Sequence, residues 1–156
     1  MTVRKFRPPN RLAAMIKDRG GMLAKDAIAA AEAGVETLRE SSMAALDEAL
    51  ADIEARFGKD APDRASQSFE DLYLLASRII DVSAFVMDAG IDKAAMSLCG
   101  LADDCAEAGG WRWEAVDVHI KALKLLRAMG AQLPVEQRDA MLQGLYQVSH
   151  YRPDEG

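Results

Sequence analysis

Few side chains in this 156-residue chain have a type and spacing that could carry chemistry: His119, His150, the acidic run Asp103-Asp104 with Glu107, and the cysteines Cys99 and Cys105. His119 stands in VHIKALKLL, a helical pattern. A histidine on a helix, open to solvent and beside a cation, can accept a phosphoryl group from an aspartyl phosphate through a ring nitrogen. Lys121 and Lys124 are the nearby cations. Orientation favours a different role. With Val116 at 0° and about 100° per residue, Asp117, Lys121 and Lys124 fall between about 80° and 140°, whereas His119 falls near 300°. That position lies between one apolar sector (Val116, Ile120, Leu123) and a second (Val118, Ala122, Leu125, Met129). The expectation is a histidine hydrogen-bonded in the core, with phosphoacceptor as the alternative.

The other candidates have plainer readings. His150 complements the dipole at a helix end. The acidic run at a helix C-terminus reads as a solvated face, because no third group accompanies it for general acid or base work. The cysteines, six residues apart, fall about 120° apart around one helix, which disfavours a disulfide. Two cysteines and two distant histidines match no metal-ligand spacing. Serine-nucleophile motifs, phosphate-binding glycine loops and dinucleotide fingerprints are missing from the sequence. No catalytic residue, metal or cofactor is therefore expected, and the chain does not read as an enzyme. Trp111 and Arg112, followed by Trp113, are candidates for partner binding.

The elements that position these residues are helices. Ala (28) and Leu (16) far exceed Val (8), Ile (7) and Thr (2), which points to an all-α fold. Residues 24–57 form a long helical pattern with an apolar stripe of Ile28, Val35, Leu38, Ala45, Leu46, Ile53 and Phe57, and Gly34 is a candidate bend. Ser68 with Asp71 opens a second helix carrying Leu72, Leu75, Ile79, Val82 and Val86, closed by Gly90. A third, capped by Asp92, carries Ala95, Leu98, Leu101, Ala102 and Cys105 up to Gly109-Gly110. A fourth spans 112–129 and is apolar almost all round. Pro134 starts a fifth with Met141, Leu145 and Val148. Glycine after each stripe reads as a left-handed stop. Short links between these helices predict an antiparallel up-and-down bundle of four to five helices. Three regions follow: a basic, partly extended arm over 1–23 with a short helix around Leu12, Met15 and Ile16, the bundle over 24–150, and a frayed tail over 151–156.

Charge is distributed unevenly. Seven basic residues and one acid occupy residues 1–25, a balance of +6, while residues 26–156 carry −12. An acidic body argues against nucleic acid as a partner, and a basic arm suggests contact with an acidic surface. Arg4, Lys5, Arg7 and Arg11 are accordingly the arm's candidate partner-binding residues. No apolar run is long enough to span a membrane, and the N-terminus lacks the apolar core of a signal peptide, so a cytoplasmic protein is expected.

Three segments carry a resemblance: RKFRPPNRLAAMI with Gly20-Gly21, then AEAGVETLRESSMAALDEAL, then SLCGLADDCAEAGGWRWEAVDVHIKALKLL. In this order they resemble the small CheE accessory proteins found in some bacterial chemotaxis gene clusters, over roughly residues 4–127. The resemblance rests on segment order, and it transfers no catalytic residue. It implies a cytoplasmic signalling role through contact with a chemotaxis histidine kinase or a response regulator. The long first helix and the doubly apolar fourth suggest a homodimer. Histidine phosphotransfer domains usually place Lys three and Gly four residues after their histidine; here Ala122 and Leu123 stand at those positions. A structural scaffold is the remaining reading.

Overall fold

A computed structural model describes residues 23–84 and 90–151. Arg4, Lys5, Arg7 and Arg11, the short helix expected around Leu12, and Val86 lie outside the described residues. So do residues 152–156 of the expected tail. The chain divides into two compact units, Met1–Thr37 and Leu38–Gly156. Among the described residues there are five α-helices, one 3-10 turn and no strand.

Helix α1 runs Ala24–Phe57, and its helical assignment continues through Gly34. Its single apolar stripe divides into two parts. Ile28, Val35 and Leu38 are 59%, 63% and 53% exposed, whereas Leu46, Ile53 and Phe57 are fully buried. The expectation of a core-facing stripe along the whole helix is corrected accordingly: burial begins at Leu46.

The second unit is a bundle. After α1 come the 3-10 turn Arg64–Ser66, α2 Phe69–Ser83, α3 Ile91–Ala108, α4 Trp113–Met129 and α5 Val135–His150. Ser68 caps α2, its hydroxyl accepting from the Asp71 amide at 3.1 Å. The same hydroxyl, and then the Arg56 guanidinium, hold the Asp71 carboxyl below its ordinary value against a small burial cost.

Glycine acts differently from the expected pattern. Only Gly90 and Gly109 have positive φ among the described residues. Gly109 ends α3 as a left-handed stop: its own amide reaches the Ala106 carbonyl and the Gly110 amide reaches Cys105. Gly90 starts α3 rather than closing α2, which ends at Ser83, and Asp92 lies in the first turn of α3 rather than capping it. Gly130 follows α4 in right-handed conformation.

Side-chain pairs across the helices fix their directions. Arg56 meets Asp71 and Arg78 meets Glu48, so the buried half of α1 and α2 run antiparallel. Ser77 meets Cys99, while Phe69 and Ala106 line one groove, which sets α3 antiparallel to α2. Lys124 pairs with Glu54 and Arg127 with Asp47, giving the same relation for α4 and α1. Arg112 reaches Ser149 and Arg138 reaches Gly130, so α5 opposes α4. This is the up-and-down order that short links impose. Leu46, Ile53, Phe57, Leu72, Ile79, Leu98, Leu101, Val116, Leu123 and Leu126 form one fully buried core. Each such side chain contributes about 1.5–3 kcal/mol of burial.

Two glycines offer a test of opposite sign. Gly109 has φ of 67° with open space around a built Cβ, so Gly109→Ala isolates backbone strain and is expected to cost about 1 kcal/mol. Gly100 lies inside α3 with nothing near its Cβ position, so Gly100→Ala is expected to gain about 0.4–1 kcal/mol. Urea unfolding midpoints of the two variants check both signs.

Candidate functional site

The densest polar arrangement in the bundle surrounds His119. It occupies the middle of the buried arc of α4, flanked by Ala115, Val116, Ile120, Ala122, Leu123 and Leu126, and is fully closed to solvent. The Ala115 carbonyl lies 2.7 Å from Nδ1. A carbonyl can only accept, so Nδ1 carries the proton and Nε2 accepts from the Ser97 hydroxyl at 2.9 Å. Ser97 Oγ is also 3.3 Å from Ser149 Oγ; with the Ser97 proton on Nε2, Ser149 makes this bond as donor, turning its one proton from the Tyr146 carbonyl 2.9 Å away. One histidine thus ties α3, α4 and α5 together through hydroxyls.

Arg112, just before α4, closes this arrangement. Its guanidinium donates to the carbonyls of Ser149 at 2.7 Å and Val148 at 2.6 Å. These are the orphan acceptors at the end of α5, and a fixed fork of donors satisfies two of them together. Burial pushes the His119 pKa down, and the Arg112 charge pushes the same way, against the Ala115 hydrogen bond. The ring is neutral at physiological pH and has no nitrogen facing solvent. It therefore offers no route for an incoming phosphoryl group.

Trp111 and Trp113 do not stand free either. Trp111 lies 4.4 Å from the Phe69 ring centroid and 5.8 Å from that of Phe57, and it stacks on Trp113 at 4.5 Å. Arg64 covers the Trp113 ring at 4.1 Å and pairs with Asp117 at 3.3 Å. Trp111 and Arg112, read from sequence as partner-binding residues, are half-buried and both make contacts within the bundle: one anchors the turn between α3 and α4, the other caps α5. The Arg64–Asp117 pair and the two serines escaped the sequence reading. A polar residue on an apolar face, as Ser97 and Ser149 are, was the available signal.

The remaining candidates stay apart. Cys99 and Cys105 are both free and buried, and burial raises both thiols above their ordinary value. His150 Nδ1 donates to the Tyr146 carbonyl at 2.9 Å and lies 3.0 Å from Ser149 Oγ, and its ring sits 4.0 Å from the Tyr146 ring, tilted by 31°. Among the described residues no group of His, Cys, Asp or Glu could hold a metal ion, and no helix is long and apolar enough to cross a membrane. Two open grooves mark the surface. The larger, about 490 Å³, is bordered by Lys59, Asp60, Lys121 and the Glu54–Lys124 pair over an Ile120 floor. The smaller, about 230 Å³, lies between α2 and α3. No protein-family model, curated protein or solved structure matches this chain.

The neutral His119 has a measurable consequence. Its folded pKa is below the ordinary value, so the unfolded chain takes up the proton first as pH falls. The stabilisation is full above about pH 6.5 and is lost below it, by at most about 1.4 kcal/mol per pH unit. His119→Gln, which keeps neutral partners for Ser97 and Ala115, is expected to lose this component. Urea midpoints compared at neutral and mildly acidic pH measure it.

Proposed function

We propose that this chain is a non-enzymatic, cytoplasmic adaptor of a bacterial chemotaxis pathway that acts as a homodimer and binds a histidine kinase or a response regulator. One observation carries the reading: residues 24–41 of α1 are exposed throughout and display Ile28, Val35 and Leu38. An exposed apolar stripe on a long helix is the signature of an association surface, since leaving it in water forfeits its burial energy. The chemotaxis assignment itself is supported by the resemblance of the quoted segments to CheE accessory proteins. The partner is expected to be met by the basic residues Arg4, Lys5, Arg7 and Arg11, whose charge opposes an acidic surface. Phosphotransfer through His119 gains no support from a ring engaged at both nitrogens in the core.

Light scattering of the full chain is expected to give a dimer mass, shifted to monomer by Val35→Asp; a monomeric wild type sinks the dimer. For the partner, a pull-down against the chemotaxis kinase and response regulators of the same organism is expected to retain one of them. Reversing Arg4, Lys5 and Arg7 to Glu is expected to weaken that capture about tenfold or more at low salt. Capture of none, with a stable dimer, leaves the chain as a structural scaffold and ends the adaptor reading.

A further inference from the structure

Six carboxylates of the bundle pair with a cation on another element: Asp47 meets Arg127, Glu48 and Asp52 meet Arg78, Glu54 meets Lys124, Asp71 meets Arg56 and Asp117 meets Arg64. The groove between α2 and α3 joins an apolar floor to two carboxylates without such a partner. Phe69, Tyr73, Ala102 and Ala106 form its apolar floor, with Glu70 on one rim and Asp103 on the other. Neither carboxylate takes part in a hydrogen bond or ion pair among the described residues, and Tyr73 is 39% exposed. At about 230 Å³ the groove is smaller than the roughly 300 Å³ and upward of small-molecule pockets, and it suits one anchoring side chain.

We infer that this groove receives residues 4–11 of a second copy of the chain, with Phe6 against Phe69 and Tyr73 and the arm's cations on Glu70 and Asp103. The chemistry of the two partners matches term by term. An apolar floor with an aromatic wall asks for an aromatic anchor, and Phe6 is the one aromatic residue of RKFRPPNR. Two uncompensated carboxylates on a body of −12 ask for cations, and the stretch supplies Arg4, Lys5, Arg7 and Arg11. Pro8-Pro9 restrict the chain and so reduce the entropy lost on docking. A second copy is the source because a two-fold dimer lets each arm fill the other's groove, a reciprocal contact that closes on itself. The inference therefore rests on the dimer proposed above, and it gives the arm an intermolecular seat that any other partner must displace.

Carbodiimide crosslinking of a mixture of 15N-labelled and unlabelled full-length chains tests it. The reagent condenses the Lys5 amine with a carboxylate to an amide. Mixed-isotope peptides joining Lys5 to Glu70 or Asp103 are expected, reduced about tenfold or more at high salt. The charge-reversed variants R4E/K5E/R7E and E70K/D103K, each confirmed helical by circular dichroism, are each expected to lose most of the arm contact. Mixing the two is expected to give mixed-isotope crosslinks between the substituted arm and the substituted groove, because the acidic arm of one then meets the basic groove of the other. Same-isotope crosslinks only, crosslinks from Lys5 to other carboxylates, or no rescue on mixing would overturn the inference. A wild-type dimer that Val35→Asp dissociates, yet without Lys5 crosslinks to the groove, defeats this inference alone. A monomeric wild type defeats both.

Discussion

Arg112 holds the end of α5, and the arrangement of the last three helices depends on that contact. Helix α5 is lightly buried: Leu145 and Ser149 are its only buried residues, with Met141, Leu142 and Val148 half-buried against the core. Partial burial offsets less of the entropy of ordering its sixteen residues than a full core stripe would. A charged fork on the carbonyls of Val148 and Ser149 adds directional bonds of about 1.5–3 kcal/mol each where the helix would otherwise fray. Placing a cation there has a further effect. It adds to the burial that, as the larger cause, keeps His119 neutral, and a neutral ring can accept from Ser97 while donating to Ala115. The cap on α5 and the protonation state of the core are one arrangement.

A second set of charges sets register rather than stability. The carboxylates of α1 pair with Arg78 of α2 and with Lys124 and Arg127 of α4, all with substantial solvent exposure. Exposed pairs of this kind contribute about 0–1 kcal/mol each. Their value lies in direction, since each pair joins fixed positions on two helices. The more enclosed Arg64–Asp117 pair works differently. Its guanidinium also covers Trp113, so it fastens the 3-10 turn onto α4 through both charge and ring face.

The helices were legible because period and punctuation coincide. The core stripes of α2, α3 and α4 are read directly from Leu72 and Ile79, from Leu98, Leu101 and Cys105, and from Val116, Ile120 and Leu123. Three features were not legible, each for a physical reason. The first half of the α1 stripe has the same period as the second, and periodicity does not tell a core face from an exposed association face. Gly90 and Gly109 look alike in sequence, but one opens α3 and the other closes it, a difference set by the backbone around them. Arg112 between two tryptophans has the composition of an interface hot spot. Only the approach of α5, some 36 residues further along the chain, turns it into a cap. His119 was the opposite case, because its angle on the helix already placed it among apolar neighbours.

The exposed half of α1 carries the argument from fold to function. Residues 24–41 lie outside the core, and an isolated helix of that length is marginal in water. Alanines at 24, 27, 29, 30, 31 and 33 favour it, and Gly34 costs about 1 kcal/mol. Propagation from an already folded turn avoids the nucleation cost, so the buried half of α1 can sustain the helix onward. Helicity alone, however, gives no reason for Ile28, Val35 and Leu38, where polar helix formers would serve as well and resist aggregation. The dimer proposed above would bury them. In the bundle His119 is sealed in the core and burial raises both cysteine thiols above their ordinary value. What the protein does present is a shaped apolar helix face, an acidic groove and, elsewhere in the chain, a stretch of opposite charge. Those are the features on which the proposed association rests.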